Sequence, residues 1–342
     1  YTMRGKKQIP EEQLNAGDIG AVAKLQYTLT YHTLCTEANK VIFPIPEIPK
    51  PSITMSVFPK KQGDEDKVFN GLRRLEEEDV TFKLSKNEET NEMQISGLGE
   101  MHLDVISKKL KNKFNAEIIL AEPKIPYRET IRKSVKAEGK HKKQSGGHGQ
   151  YGHCWIEFEP ITDGSANFEF VDKVVGGVVP RAYIPAVEKG LLECVKKGVL
   201  AGYPVVNLRC TLYDGSYHDV DSSEMAFKIA ASLAYKKGLK EANPVLLEPI
   251  YHVEVIVPDD YMGDIIGDLN KRRGRILGMS PVEEGQKVVA EVPYAEMLKY
   301  STDLRSMTQA RGTFDMWFER YEEAPPNIAA KVIQAAAAQA EE

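Results

Sequence analysis

Ser52-Ile53-Thr54-Met55-Ser56-Val57 gives way to Asp64-Glu65-Asp66-Lys67-Val68-Phe69-Asn70-Gly71-Leu72-Arg73-Arg74-Leu75, and the change of period between the two decides the fold. Ile53, Met55 and Val57 alternate with polar neighbours, as in a half-buried strand, whereas Val68, Leu72 and Leu75 recur at helical spacing behind Asp64 as N-cap. Next, Val80, Phe82 and Leu84 alternate, residues 87–91 form a polar turn, and Met93 and Ile95 alternate again. Leu103, Ile106 and Leu110 then share a helical face, and residues 117–120 are extended. The order is β-α-β-β-α-β, the ferredoxin-like arrangement.

The same order recurs late in the chain, in topology rather than in sequence. Tyr251, Val253, Val255 and Val257 alternate, and Asp259 opens a helix carrying Met262, Ile265, Ile266 and Leu269. Gly274 stands where a left-handed cap is expected. Strands at 275–280 and 287–292 flank a turn, a helix spans 295–309, and Phe314, Met316 and Phe318 mark a last strand. Between the two copies, strands are expected at 127–137, 153–159 and 168–174, a helix over 181–197, a strand at 205–213 and a helix over 223–237, with Gly198 and Gly238 as C-caps.

Residues 1–43 alternate around turns, as in Gly17-Asp18-Ile19-Gly20-Ala21-Val22-Ala23-Lys24-Leu25, and read as the end of a β-barrel. Pro44, Pro46, Pro49 and Pro51 make the stretch 44–51 a stiff connector. The expected fold is α+β and multidomain: a barrel end (1–43), a linker (44–51), a ferredoxin-like domain (52–124), a ββ-β-α-β-α domain (125–246), a second ferredoxin-like domain (247–323) and an alanine-rich terminal helix (324–342) too short to stand undocked. The chain starts at Tyr1 in mid-strand character, which reads as part of something longer.

With 42% hydrophobic and 28% charged residues the composition is that of a globular protein, and no apolar run reaches the roughly 20 residues that cross a bilayer. A cytoplasmic location and no membrane partner are expected. Cys35, Cys154, Cys194 and Cys210 form no CxxC pair, which argues for reduced thiols and no metal site. A net charge of −5 excludes a general nucleic-acid coat, so RNA contact would need local patches. One such patch holds Arg132, Lys133, Lys136, Lys140, Lys142 and Lys143 against Glu138, beside three histidines. It leads into Ser145-Gly146-Gly147-His148-Gly149-Gln150-Tyr151-Gly152, which is either a flexible hairpin connection or a tip whose amides meet phosphates.

A second loop, Asp214-Gly215-Ser216-Tyr217-His218-Asp219-Val220-Asp221-Ser222, poses the same choice, since Asp221 or Ser222 would also serve to cap the next helix. With both loops at one end of the middle domain, Tyr217 would stack on a base and His218 bond to one. Lys271, Arg272, Arg273 and Arg275 complement a helix dipole or touch RNA phosphate. Neither ferredoxin-like copy has the aromatic strand of an RNA-recognition module. No GxxxxGK[ST], HExxH or GxSxG occurs, so neither nucleotide hydrolysis nor covalent catalysis is expected of these residues.

The two loops, together with Ser96-Gly97-Leu98-Gly99-Glu100-Met101-His102-Leu103, Tyr261-Met262-Gly263-Asp264-Ile265-Ile266-Gly267-Asp268-Leu269-Asn270 and Thr302-Asp303-Leu304-Arg305-Ser306-Met307-Thr308-Gln309-Ala310-Arg311-Gly312, resemble elongation factor G in collinear order along the whole chain. The resemblance implies the end of that family's second domain followed by its third, fourth and fifth, without the GTPase domain, on which GTP and magnesium are expected. It implies partners in the ribosome, through both subunits' RNA, and in the tRNA-mRNA duplex, for a protein acting as a monomer. Ser145, Gly146, Gly147, His148, Gly149, Gln150, Tyr151, Tyr217, His218 and Asp219 then form the tip that meets this duplex in translocation. The fifth domain approaches large-subunit RNA, Gly97, Gly99, Glu100 and His102 face the nucleotide domain, and the terminal helix packs on the fourth domain.

One departure stands out. His148 occupies the place where the main translocases carry arginine, so a permanent charge becomes one that titrates near neutral pH. With the short proline connector, this looks like a paralogue, for which recycling, rescue or antibiotic protection is the alternative to translocation.

Overall fold

The computed structural model describes residues 1–144 and 149–341, with side chains described up to residue 338. It divides into two compact units, residues 1–86 with 92–122 and residues 87–91 with 123–342.

In the first unit, β1 (Thr2–Arg4) and β2 (Lys7–Ile9) form a small antiparallel hairpin. The strand expected at Gly17–Leu25 is not one. A barrel strand must pair both edges, and β1 and β2 pair only with each other among the described residues, so Ile19 stays 91% exposed. Beyond the proline connector come β3 (Ile53–Pro59), α1 (Glu65–Glu78), β4 (Lys83–Lys86), β5 (Met93–Gly97), α2 (Glu100–Phe114) and β6 (Ile118–Ala121). They pair antiparallel in the order β4-β5-β3-β6, and Val68, Leu72, Leu75, Leu103, Ile106 and Leu110 close the core against one face. Asp64 holds the N-cap position of α1 without a side-chain capping bond.

The second unit opens with β7 (Arg128–Ile131) and β8 (Val135–Lys143). One strand was expected over 127–137, but the N–H groups of Arg132 and Lys133 donate to Ala242 O at 3.1 and 3.0 Å and turn the chain out of line. Next are β9 (Gln150–Pro160), β10 (Phe168–Asp172), α3 (Ile184–Cys194), β11 (Leu208–Ser216) and α4 (Glu224–Glu241). The sheet order is β10-β11-β9-β8, antiparallel except for the β10-β11 pair.

Helix α4 lies directly on the backbone of this sheet. A Cβ on Gly139 would sit 1.9 Å from Ala230 O, and one on Gly152 2.3 Å from Ala226 O, so glycine facing a run of alanines sets the distance. Gly238, expected as a C-cap, lies inside α4 because a Cβ there would meet the Phe158 ring at 2.5 Å. Cys154, Ile156, Phe158, Phe227, Ala230 and Ala234 fill the core between them.

The chain then runs through β12 (Pro244–Val257), η1 (Asp259–Tyr261), α5 (Met262–Lys271), β13 (Arg275–Val282), β14 (Gly285–Pro293), η2 (Tyr294–Glu296), α6 (Tyr300–Met307) and β15 (Thr313–Glu323). The order β13-β14-β12-β15 repeats that of the first unit, element for element. The N-terminal end of the 14-residue β12 also pairs with β7, so one strand belongs to both the middle and the last domain. The helix expected over 295–309 is shorter than predicted, with a 3₁₀ turn in place of its first residues. The terminal helix α7 (Pro326–Glu341) packs Ile328, Ala329 and Val332 against the cluster of Tyr127, Leu246 and Ala324.

Candidate nucleic-acid interface

β8 and β9 pair as far as Lys143 opposite Gln150, and Ser145, Gly146, Gly147 and His148 lie outside the described residues. The loop after β11 meets the start of β9. The Gly149 N–H donates to Asp221 Oδ1 at 2.9 Å, and the Tyr151 N–H donates to Asp221 O at 2.8 Å. The Tyr151 and His218 rings lie 6.4 Å apart, and Gln150 bonds His141 at 2.9 Å. The two segments singled out in the sequence, Gly149 to Tyr151 and Tyr217 to Asp219, are therefore one surface.

Asp221 and Ser222 do not cap α4. Ser223 does, its Oγ accepting from the Ala226 N–H at 3.2 Å. This leaves Ser222 Oγ to accept the His218 N–H at 2.9 Å, and Asp221 to join the loops. His218 Nδ1 faces the N–H groups of Val220 and Asp221 at 3.4 and 3.3 Å and lies 3.5 Å from Asp221 Oδ2, so the ring is turned in toward the loop. Tyr217 and Asp219 are exposed beside it.

Glu138, His153 and Ser216, which the motif reading quoted but gave no role, lie beside these segments. Tyr151 Oη and Ser216 Oγ are 2.7 Å apart, Ser216 Oγ is 2.7 Å from His153 Nδ1, and His153 Nε2 is 2.9 Å from Glu138 Oε1. The cross-strand register, with Ser216 and Lys140 on either side of His153, creates this chain, and no local spacing announces it.

The cationic cluster after α5 divides. A Schellman motif ends the helix, with Gly274 N–H bonded to Leu269 O and Arg273 N–H to Asn270 O. The left-handed residue is Arg273, at φ 62°, rather than Gly274. Arg272 spends its guanidinium on Asp268 at 2.7 Å, Glu296 O at 2.7 Å and Asp303 at 2.6 Å, over the Tyr300 ring. Arg273 grips Glu248, which is buried, through two bonds of 2.8 and 2.7 Å. That bonding, against the cost of burial, raises its pKa further. Two of the four cations thus lock the domain internally, while Lys271 is exposed and Arg275 is exposed beside Glu291. Hydrogen bonds from Arg320, working against burial, and then from Arg275 lower the Glu291 carboxyl to about 2.

In the first unit, Gly97, Gly99, Glu100 and His102 surround the start of α2. His102 Nδ1 accepts from the Leu98 N–H at 3.1 Å, and its other nitrogen lies 2.9 Å from Asp79 Oδ2. Against burial, hydrogen bonds from Thr81 and His102 hold the Asp79 carboxyl below its usual range. His102 thereby ties the Gly97–Gly99 turn to the end of α1. Among the described residues no group of His, Cys, Asp and Glu is arranged to hold a metal ion, and no helix is long and apolar enough to cross a membrane.

Comparison with known proteins covers nearly the whole chain. Residues 48–122 match the family model for elongation factor G, domain III, residues 123–243 that for elongation factor G, domain IV, and residues 245–332 that for the elongation factor G C-terminus. The chain is also similar to a protein of known crystal structure from Thermus thermophilus, with 44% identity and a TM-score of 0.76 over 90% of this chain and 45% of that one, so it spans less than half of that relative's length. Three family domains in their family order, on the sheets described above, lead to one conclusion: the chain belongs to the elongation factor G family of translation factors and carries its domains III, IV and C-terminal domain.

Proposed function

We propose that this chain is the ribosome-contacting portion of a translation factor that drives tRNA-mRNA translocation, with the paired loops of the middle domain as the part that meets the duplex. The observation carrying this reading is the joining of Gly149–Tyr151 to Tyr217–Asp219 through Asp221, which makes these two segments one surface with an exposed tyrosine and an exposed histidine. A flexible connection would need no such tie. GTP and magnesium would be held by a GTPase domain outside these 342 residues, since this sequence has no phosphate loop. Lys271, exposed and without an ion pair among the described residues, is the cation best placed to approach large-subunit RNA, and Arg275 is exposed but bonded to Glu291.

The test joins this chain to its GTPase domain and measures single-round translocation beside ribosome binding and ribosome-stimulated GTP hydrolysis. Replacing Tyr217 and His218 by alanine should slow translocation at least about tenfold, the loss of roughly one stacked base, with binding and hydrolysis retained. Unchanged translocation would refute the reading, and a defect confined to ribosome splitting would favour the recycling alternative.

A further inference from the structure

Helix α4 covers the sheet face of the middle domain that carries Gly139, Gly152 and Cys154, and strand alternation puts Glu138, Lys140, Lys142, Tyr151 and His153 on the other face. The register sets Lys142 opposite Tyr151 and Lys140 opposite His153. Both lysines are exposed, and neither ammonium has a partner among the described residues. Of the acids on this face, Glu138 is committed to His153, Glu157 lies opposite Lys136, and Asp214 sits opposite Trp155, one step further from the two lysines. Two free cations two residues apart, each across from a ring, match the alternation of phosphate and base along an extended nucleic-acid strand.

From this geometry we infer that the outer sheet face beside the tip binds single-stranded RNA, with Lys140 and Lys142 on successive phosphates and Tyr151 as the base platform. The inference rests on the ribosome reading above and extends it from the loops to the sheet. The Glu138-His153-Ser216-Tyr151 chain supplies the preorganisation. With a neutral imidazole, Nε2–H donates to Glu138, Ser216 O–H donates to Nδ1 and Tyr151 O–H donates to Ser216, so every member is satisfied. The phenol is thereby pinned before ligand arrives, and less ordering entropy opposes binding. An A-form duplex would present phosphates without unstacked bases and should bind more weakly.

The experiment measures anisotropy of a labelled ten-nucleotide oligouridylate with the 342-residue chain across a salt series, beside an RNA duplex, inorganic polyphosphate and ribosome co-sedimentation. Single-stranded RNA should bind tighter than the duplex or polyphosphate. The Lys140→Ala/Lys142→Ala double variant should weaken binding at least about tenfold and reduce the log K against log salt slope by about 1.4, or roughly 0.7 per lost phosphate contact. Ser216→Ala should weaken binding of the single strand while leaving that slope unchanged, an outcome a purely electrostatic surface would not give. An unaltered slope in the double variant, or polyphosphate binding as tight as RNA, overturns the inference. Co-sedimentation with ribosomes but no binding to the oligonucleotide overturns it and leaves the ribosome reading standing, whereas failure of both removes both.

Discussion

Replacing Asp221 by alanine should loosen the tip without unfolding the domain. The Oδ1 atom accepts the Gly149 N–H at 2.9 Å, a bond to a charged acceptor worth about 1.5–3 kcal/mol. The Asp221 side chain is 27% exposed, which places the value at the lower end, near 1.5 kcal/mol. At about 1.4 kcal/mol per factor of ten, amide exchange at Gly149 should accelerate about tenfold. Tyr151 N–H bonds the Asp221 main-chain oxygen, which the substitution keeps, so its exchange should change less. Asp221→Asn retains an acceptor without the charge and should fall between. Amide exchange by NMR reads both positions, with Ala230 in α4 as an internal standard. Unchanged exchange at Gly149, or an equal rise at Ala230, would refute the claim that this carboxylate joins the loops.

Other expectations follow from the same contacts. Gly152→Ala puts a Cβ 2.3 Å from Ala226 O, so α4 must move off the sheet, and urea unfolding should show a loss of about 1–3 kcal/mol. Arg273→Met leaves buried Glu248 without its paired donors and should cost about 3–5 kcal/mol by the same measurement, unless Glu248→Gln is added. Glu291 ordinarily titrates at 4.5 and is held at about 2 in the fold, so its contribution to stability is complete above about pH 4.5 and lost as pH falls toward 2. Thermal midpoints of Arg320→Ala should therefore fall less steeply than wild type across that window.

The two ferredoxin-like domains were legible because their signal is local. Val68, Leu72 and Leu75, or Val253, Val255 and Val257, carry the period of their own element, and each of these residues is buried. Misreadings arose where a partner distant in sequence decides. The alternation of residues 17–25 has no strand beside it, Gly238 is required by a ring 80 residues away rather than by a helix end, and the cap of α4 fell one residue beyond the two considered. The same limit holds at the candidate site. Both loops were identifiable from composition and motif, but the Asp221 tie and the Glu138-His153-Ser216-Tyr151 chain exist only once β8, β9 and β11 are in register. The run Lys271 to Arg275 read as one charged patch, yet the acids that claim Arg272 and Arg273 come from β12, η2 and α6 as well as from α5.

The central claim, that the paired loops face the tRNA-mRNA duplex, is tested most directly by site-specific photo-crosslinking. A photoreactive amino acid in place of Asp219, with a second probe in place of Lys271 in a separate protein, is bound to ribosomes carrying tRNA and mRNA. The account predicts crosslinks from position 219 to tRNA, mRNA or decoding-region RNA of the small subunit, and from position 271 to large-subunit RNA. Crosslinks from position 219 confined to the large subunit, or to ribosomal protein remote from the decoding region, would contradict it.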